Sequence, residues 1–203
     1  MKSTCYFWKE NSMSKVTAQQ FISLMADQIG YVEKPINKTK YSRKFGVRVA
    51  QWCGYLHNWV AVKCGWKLGV DVPNTAYTPN GVVWFDRKEQ FFNKGTIPVG
   101  SWVYFDFPND GISRVSHIGT CVFDFGDGEV LTIEGNTTGP KGMRIDERNG
   151  GECAVKIRSK KLIVGWGIPP YVEAPHPIVE ELVIKYAPHK IKYDVEFIPE
   201  EGL

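Results

Sequence analysis

The sequence predicts an α+β domain whose N-terminal helices pack on a largely antiparallel β-sheet. Three observations carry this expectation. Apolar residues recur at helical spacing in the first half of the chain. After Pro98 the pattern changes to period two, as half-buried strands require. Gly126-Asp127-Gly128 is a tight-turn sequence between two such stretches, which marks a hairpin. Helices first and strands afterwards exclude a repeating parallel βαβ architecture.

Thr17-x-x-Gln20 reads as a capping box, with Phe21, Leu24, Met25 and Ile29 following on one helical face and Gly30 as a stop. Residues 31–51 read as irregular, because Pro35, Asn37 and Gly46 interrupt any period. A second helix is expected from Trp52 or Cys53 through Leu56, Trp59 and Val60, ending by Gly65. A third, shorter helix is expected through Val83-Trp84-Phe85 to Phe92. Strands are then expected at Trp102–Phe105, Ser116–Phe125, Val130–Ile133, Ala154–Ile157 and Leu162–Trp166. Pro169-Pro170 closes this domain, which spans 17–171, between an N-terminal extension at 1–16 and a tail at 172–203. In the tail, Leu182-Val183-Ile184 and Ile191–Val195 flank Ala187-Pro188-His189, a pattern that suits a β-hairpin or a contact with a protein partner.

Bulk composition removes several function classes. The chain has 203 residues, 43% hydrophobic and 23% charged, which suits one folded domain with a short appendage. A net charge of +3 gives no electrostatic footprint for nucleic acid. The densest basic run, Arg158-Ser159-Lys160-Lys161, reads as a solvated turn. The N-terminal stretch has no apolar core of a secretory signal, and no run approaches a membrane-spanning length. Synthesis in a cytoplasm without a signal peptide, and no membrane insertion, are therefore expected; Met13 is an alternative start. The five cysteines are odd in number and lack a C-x-x-C pair, so neither a complete disulfide framework nor a four-Cys zinc site is expected.

The chemistry concentrates around Gln51-Trp52-Cys53-Gly54. A cysteine in the first turn of a helix meets free N–H groups and a partial positive charge, which favour the thiolate. The same N–H groups can hold the oxyanion formed when a carbonyl is attacked. Such a nucleophile needs a base. His57, four residues on, shares the helical face of Cys53 and either approaches the thiol or packs on the helix flank. His176 and His189 lie in the proline-containing tail and read as exposed. His117 begins an alternating strand, where an imidazole is rigidly placed, and the small Gly119 beside it leaves room for a neighbour. The hairpin from Cys121 to Leu131 returns Glu134 and Asn136 beside His117, and residues two apart in a strand face one side. Either group would orient the imidazole; the bland alternative is a turn with both in water.

In order along the chain, these pieces resemble the CHAP family (cysteine, histidine-dependent amidohydrolase/peptidase) of phage endolysins and bacterial wall hydrolases. The matching segments are Lys38-Thr39-Lys40-Tyr41, Trp52-Cys53-Gly54-Tyr55-Leu56-His57-Asn58-Trp59-Val60, Val82-Val83-Trp84-Phe85, Pro98–Phe105, Ser116-His117-Ile118-Gly119, Thr132-Ile133-Glu134-Gly135-Asn136-Thr137 and Ile163-Val164-Gly165-Trp166-Gly167. Together they cover residues 17–171. The resemblance implies a papain-like fold with Cys53 as nucleophile, His117 as base and acid, Glu134 as orienting residue and Asn136 in support. It also implies Trp52 and Tyr41 as groove walls, with core packing as the alternative for Trp52. The implied activity is hydrolysis of an amide or peptide bond in peptidoglycan, by a lysin acting on the wall after release or as part of a virion. Amidase and endopeptidase remain equal readings. The rivals are a catalytically inactive wall-binding module and a structural zinc protein. Two departures stand out. Ser101 replaces the usual Asp of the strand opening, and residues 31–52 hold Glu33 but no Asp, so no calcium site is expected there. No cofactor is expected.

Overall fold

The computed structural model describes residues 15–108, 110–139 and 149–191. Among the described residues, five α-helices and six strands follow in the order α1 (Ala18–Ala26), α2 (Lys40–Arg43), α3 (Cys53–Lys63), α4 (Thr78–Arg87), β1 (Phe91–Phe92), β2 (Trp102–Phe105), β3 (His117–Asp124), β4 (Glu129–Thr137), β5 (Glu152–Ser159), β6 (Ile163–Gly167) and α5 (Pro177–Tyr186). The strands form one sheet in the order β1-β6-β2-β3-β4-β5, with every pairing antiparallel. The fold class is the α+β class that the change of period predicts.

Local chemistry explains the helix starts. The Thr17 hydroxyl accepts from the Gln20 N–H while the Gln20 side chain accepts from the Thr17 N–H, so the capping box at α1 is complete. Thr39 caps α2 by accepting from the Ser42 N–H, which places one helical turn inside the stretch that reads as irregular. Proline occupies the first turn of both α4 and α5, where its missing N–H costs no helical bond. α4 ends at Arg87 rather than Phe92, and Phe91–Phe92 instead pairs with β6 as a short edge strand.

Alternation along the strands divides the core. Trp102, Tyr104, Ile118, Val122, Leu131 and Ile133 join Phe21, Met25, Leu56 and Val60 in the main cluster between helices and sheet. Val103, Phe105, Cys121, Val130 and Trp166 form a second cluster with Ile97 and Phe107. Burial of each large apolar side chain stabilises the fold by about 1.5–3 kcal/mol, so the α3 face carrying Leu56 and Val60 is firmly held.

The tail corrects the sequence reading. Leu182-Val183-Ile184 belongs to helix α5 and not to a hairpin strand. Pro177 starts the helix, and Val179 and Leu182 lie three apart and are both buried in the main cluster. The Ile178 N–H donates to Gln19 Oε1 at 3.2 Å, tying the start of α5 to α1. Val172 pairs with Thr17 in a single parallel bridge beside it. Of the second expected tail strand, residues beyond Ile191 lie outside the described part, as does Met13.

Candidate active site

Helix α3 opens at Cys53, with Trp52 at the N-cap position offering no side-chain cap. The first N–H groups of any helix have no acceptor within it, and Cys53 stands at that end of α3. Close backbone packing holds this helix start. A Cβ on Gly54 would lie 1.8 Å from the Thr75 carbonyl oxygen, so only glycine fits there. The Thr75 hydroxyl donates to the Gly54 carbonyl at 3.1 Å and the Thr75 N–H to Asn58 Oδ1 at 2.9 Å. Cys53 is 6% exposed, buried yet touching the surface.

His117 begins β3 and is fully buried. Its Nε2 donates to Glu134 Oε2 at 2.9 Å. Its Nδ1 has no hydrogen-bond partner among the described residues, and Cys53 lies near enough to bear on the titration of the ring. Burial alone would lower the His117 pKa, but the neighbouring Cys53 and Glu134 outweigh it and raise it to about 9. Phe105 and Phe107, stacked at 5.7 Å, wall the imidazole with ring centroids 5.9 and 5.5 Å away.

The hairpin register explains how Glu134 reaches across. Gly119 is the direct partner of Glu134 between β3 and β4. A Cβ there would approach Glu134 Cγ to 2.8 Å, so the room left by Gly119 is filled by Glu134 itself. The carboxylate is fully buried and its four acceptor positions are engaged. Oε2 accepts from His117 and from Arg158 Nη2 at 2.6 Å; Oε1 accepts from Arg158 Nε at 2.8 Å and from the Thr132 hydroxyl at 2.7 Å. Burial would raise the Glu134 pKa, but the Arg158 guanidinium and then His117 hold it far below the usual carboxylate range.

Arg158 is the residue the sequence reading missed. It is a member of β5 and is buried, whereas the run it begins reads as a solvated turn. Lys160 and Lys161 do lie in a turn after the strand, with Lys160 paired to Asp124 at 2.5 Å. A hint exists in the alternation Ala154, Lys156, Arg158, which places a cation on one face of a strand, but without the β4–β5 register it has no partner to point to.

The other expected residues fall as follows. Asn136 is buried with a left-handed φ of 58°, at a register shift in β4 between Glu134 and Thr137. The period-two argument therefore does not extend to it, and its Nδ2 donates to Asn149 Oδ1 at 3.1 Å. Trp52 and Tyr41 are core residues instead of groove walls: both are fully buried and stack at 5.2 Å. Trp52 Nε1 donates to Glu33 Oε2 at 2.6 Å, and the Tyr41 hydroxyl to Gln28 Oε1 at 3.0 Å. His57 is structural by its bonds. Its Nδ1 donates to the Cys53 carbonyl at 3.0 Å, since a carbonyl only accepts, so Nε2 accepts from the Thr120 hydroxyl at 3.0 Å. Burial pushes the His57 pKa down to about 4, only partly offset by the Cys53 carbonyl.

The chain matches no protein-family model and no curated protein. Among solved structures it is similar to the crystal structure of a wild-type endolysin, LysIME-EF1, with 15% identity and a TM-score of 0.43. The match covers 77% of this chain and 65% of that one, so the chain spans just under two thirds of that protein's length.

The described cysteines Cys53, Cys64, Cys121 and Cys153 are all free. Burial pushes the thiols of Cys64, Cys121 and Cys153 up, that of Cys64 to about 11. Among the described residues, no group of three or more His, Cys, Asp or Glu converges as a metal site, and no helix is long and apolar enough to cross a membrane. The arrangement of a thiol at a helix start, an imidazole and a carboxylate in sequence is suited to nucleophilic acyl transfer.

Proposed function

We propose that this chain is a cysteine-dependent peptidoglycan hydrolase of CHAP type with a papain-like catalytic domain, acting as a phage endolysin or virion-associated lysin on bacterial cell walls. The observation that carries the reading is the His117–Glu134 hydrogen bond at 2.9 Å, which leaves Nδ1 of the imidazole for Cys53 at the start of α3. The order of the CHAP-like motifs along the chain supports the substrate class. Within the tail at 172–203, the face of α5 turned away from Val179 and Leu182, where Ile184 is exposed, is then the surface proposed for a protein partner.

The reaction proceeds by acyl transfer. His117 Nδ1 takes the proton of the Cys53 thiol or already holds it as an ion pair with the thiolate, and Sγ attacks the carbonyl carbon of a wall amide. The oxyanion is held by the Cys53 N–H and its neighbours in the first turn. The C–N bond breaks as His117 returns the proton to the leaving amine. Water, giving a proton to His117, then attacks the thioester, releasing the carboxylic acid and restoring the thiol. Glu134 keeps the ring in the tautomer that carries hydrogen on Nε2. Asn136 would support the imidazole or help polarise the substrate.

Cys53→Ala and His117→Ala, each assayed for turbidity loss on purified cell walls, test this. Both should lose lysis, and full activity in either overturns the assignment. Iodoacetamide at neutral pH should label Cys53 far faster than Cys64, Cys121 or Cys153; a module that only binds walls has no need of that difference. New amino termini in digested peptidoglycan, read by mass spectrometry, distinguish endopeptidase from amidase.

A further inference from the structure

We propose that Arg158 is a positioning residue for the Cys53–His117 reaction: its guanidinium clamps both oxygens of Glu134, and this clamp fixes the ring orientation that presents His117 Nδ1 to Cys53. The inference rests on the reading of Cys53 and His117 as nucleophile and base.

The geometry separates this role from ordinary ion pairing. Arg158 reaches Oε1 through Nε at 2.8 Å and Oε2 through Nη2 at 2.6 Å, the two-pronged fit that a guanidinium makes and an ammonium cannot. Oε2 is shared between Arg158 and His117, so the carboxylate cannot turn toward one without moving against the other. Arg158 is itself held. Its Nη2 also donates to the Thr137 hydroxyl at 3.1 Å, and its guanidinium lies 5.1 Å from the Phe107 ring and 5.9 Å from that of Phe105. Those are the rings that wall His117. One aromatic pair thus seats both cationic partners of Glu134.

Charge makes the same point. Glu134 is fully buried, and a buried carboxylate without a counterion takes up a proton. Protonated, it would orient the imidazole far more weakly. The titratable groups around His117 are Cys53 and His57 on α3 and Glu134 on β4; around Glu134 are His117 on β3 with Arg158 and Cys153 on β5. Arg158 is the cation in this set whose charge does not depend on pH.

The test uses the full chain with Arg158→Gln and Arg158→Lys. The first readout is the titration of the His117 ring by NMR, which needs no substrate. In R158Q the midpoint should move by about one unit or more, because Glu134 loses both the cation and the fork that hold it against the imidazole. In R158K, which keeps the charge and loses the fork, the midpoint should fall, because the loosened carboxylate supports the imidazolium less. The second readout is lysis of purified walls: R158K should lower kcat about 10- to 100-fold with KM nearly unchanged, as expected of a displaced catalytic group. A folded R158Q whose His117 midpoint is unchanged overturns the proposal. Should R158Q fail to fold, wild-type titration and wild-type kcat in R158K overturn it equally. A wild-type chain inert on walls, with His117 still shifted in R158Q, sinks the hydrolase reading and leaves the clamp standing.

Discussion

Gly119 faces Glu134 across the β3–β4 pair so closely that a Cβ on the glycine would come within 2.8 Å of Glu134 Cγ. The missing side chain is the space in which the carboxylate bends toward His117. Gly119→Ala should therefore displace Glu134, weaken the His117 contact and cost about 1–3 kcal/mol through overpacking. Thermal melting reads the stability, and turbidity loss on walls reads the activity. A variant that keeps both would show that Glu134 has another way to reach the imidazole.

Glu134→Gln should be more damaging than its small change in shape suggests. It leaves the buried Arg158 charge without its carboxylate, a change that costs about 3–5 kcal/mol. Removing both charges, as in E134Q with R158M, should recover part of that loss. Urea melts of the two single variants and the double variant give the coupling directly, and strict additivity would deny that the two side chains act as a pair.

The pH dependence of stability carries the mark of His117. Its pKa in the folded protein is raised from 6.5 to about 9. A raised pKa means that the folded state holds the proton more tightly, so this stabilisation is full below pH 6.5 and disappears as pH climbs through about 9. Melting temperature should decline across that window. His117→Gln should lack this component, and an identical decline in H117Q would assign it to another group.

His57 offers the contrasting case. With Nδ1 donating to the Cys53 carbonyl and Nε2 accepting from Thr120, neither nitrogen is available for a substrate proton. His57→Phe should destabilise by about 1–3 kcal/mol, because the buried Thr120 hydroxyl loses its acceptor. The folded variant should keep lytic activity within a few-fold at 20 °C, roughly, whereas H117A should not. Loss of activity in a fully folded H57F, measured beside its melting curve, would give His57 a direct part in the chemistry.

The sheet, the hairpin and the Cys53 helix were legible because each has a local signal: period two, a Gly-Asp-Gly turn and helical spacing ending in glycine. Glu134 could be placed beside His117 for the same reason, since a short hairpin nearly determines its own register. Arg158 could not. Its meeting with Glu134 depends on the pairing of β4 with β5, strands separated by residues 138–151, and no local pattern sets that register. Trp52 and Tyr41 show a different limit. An aromatic residue beside a nucleophile suits a groove or a core equally, and only the packing around Glu33 and Gln28 separates the two. In α5, the β-branched Val183 and Ile184 suggest a strand, but the burial of Val179 and Leu182 on one helical face prevails over that propensity.

The saturated carboxylate of Glu134 has a consequence for how protons are counted during turnover. Three donors already fill its four acceptor positions, and the His117 Nε2 hydrogen is one of them. Nothing in this part of the cluster has a second place to put a hydrogen. For a reaction at Cys53, the hydrogen would pass between the Cys53 thiol and Nδ1 of His117, which has no other partner among the described residues. The site is wired for one moving hydrogen at a time, and rates measured in graded mixtures of light and heavy water should fall on a straight line.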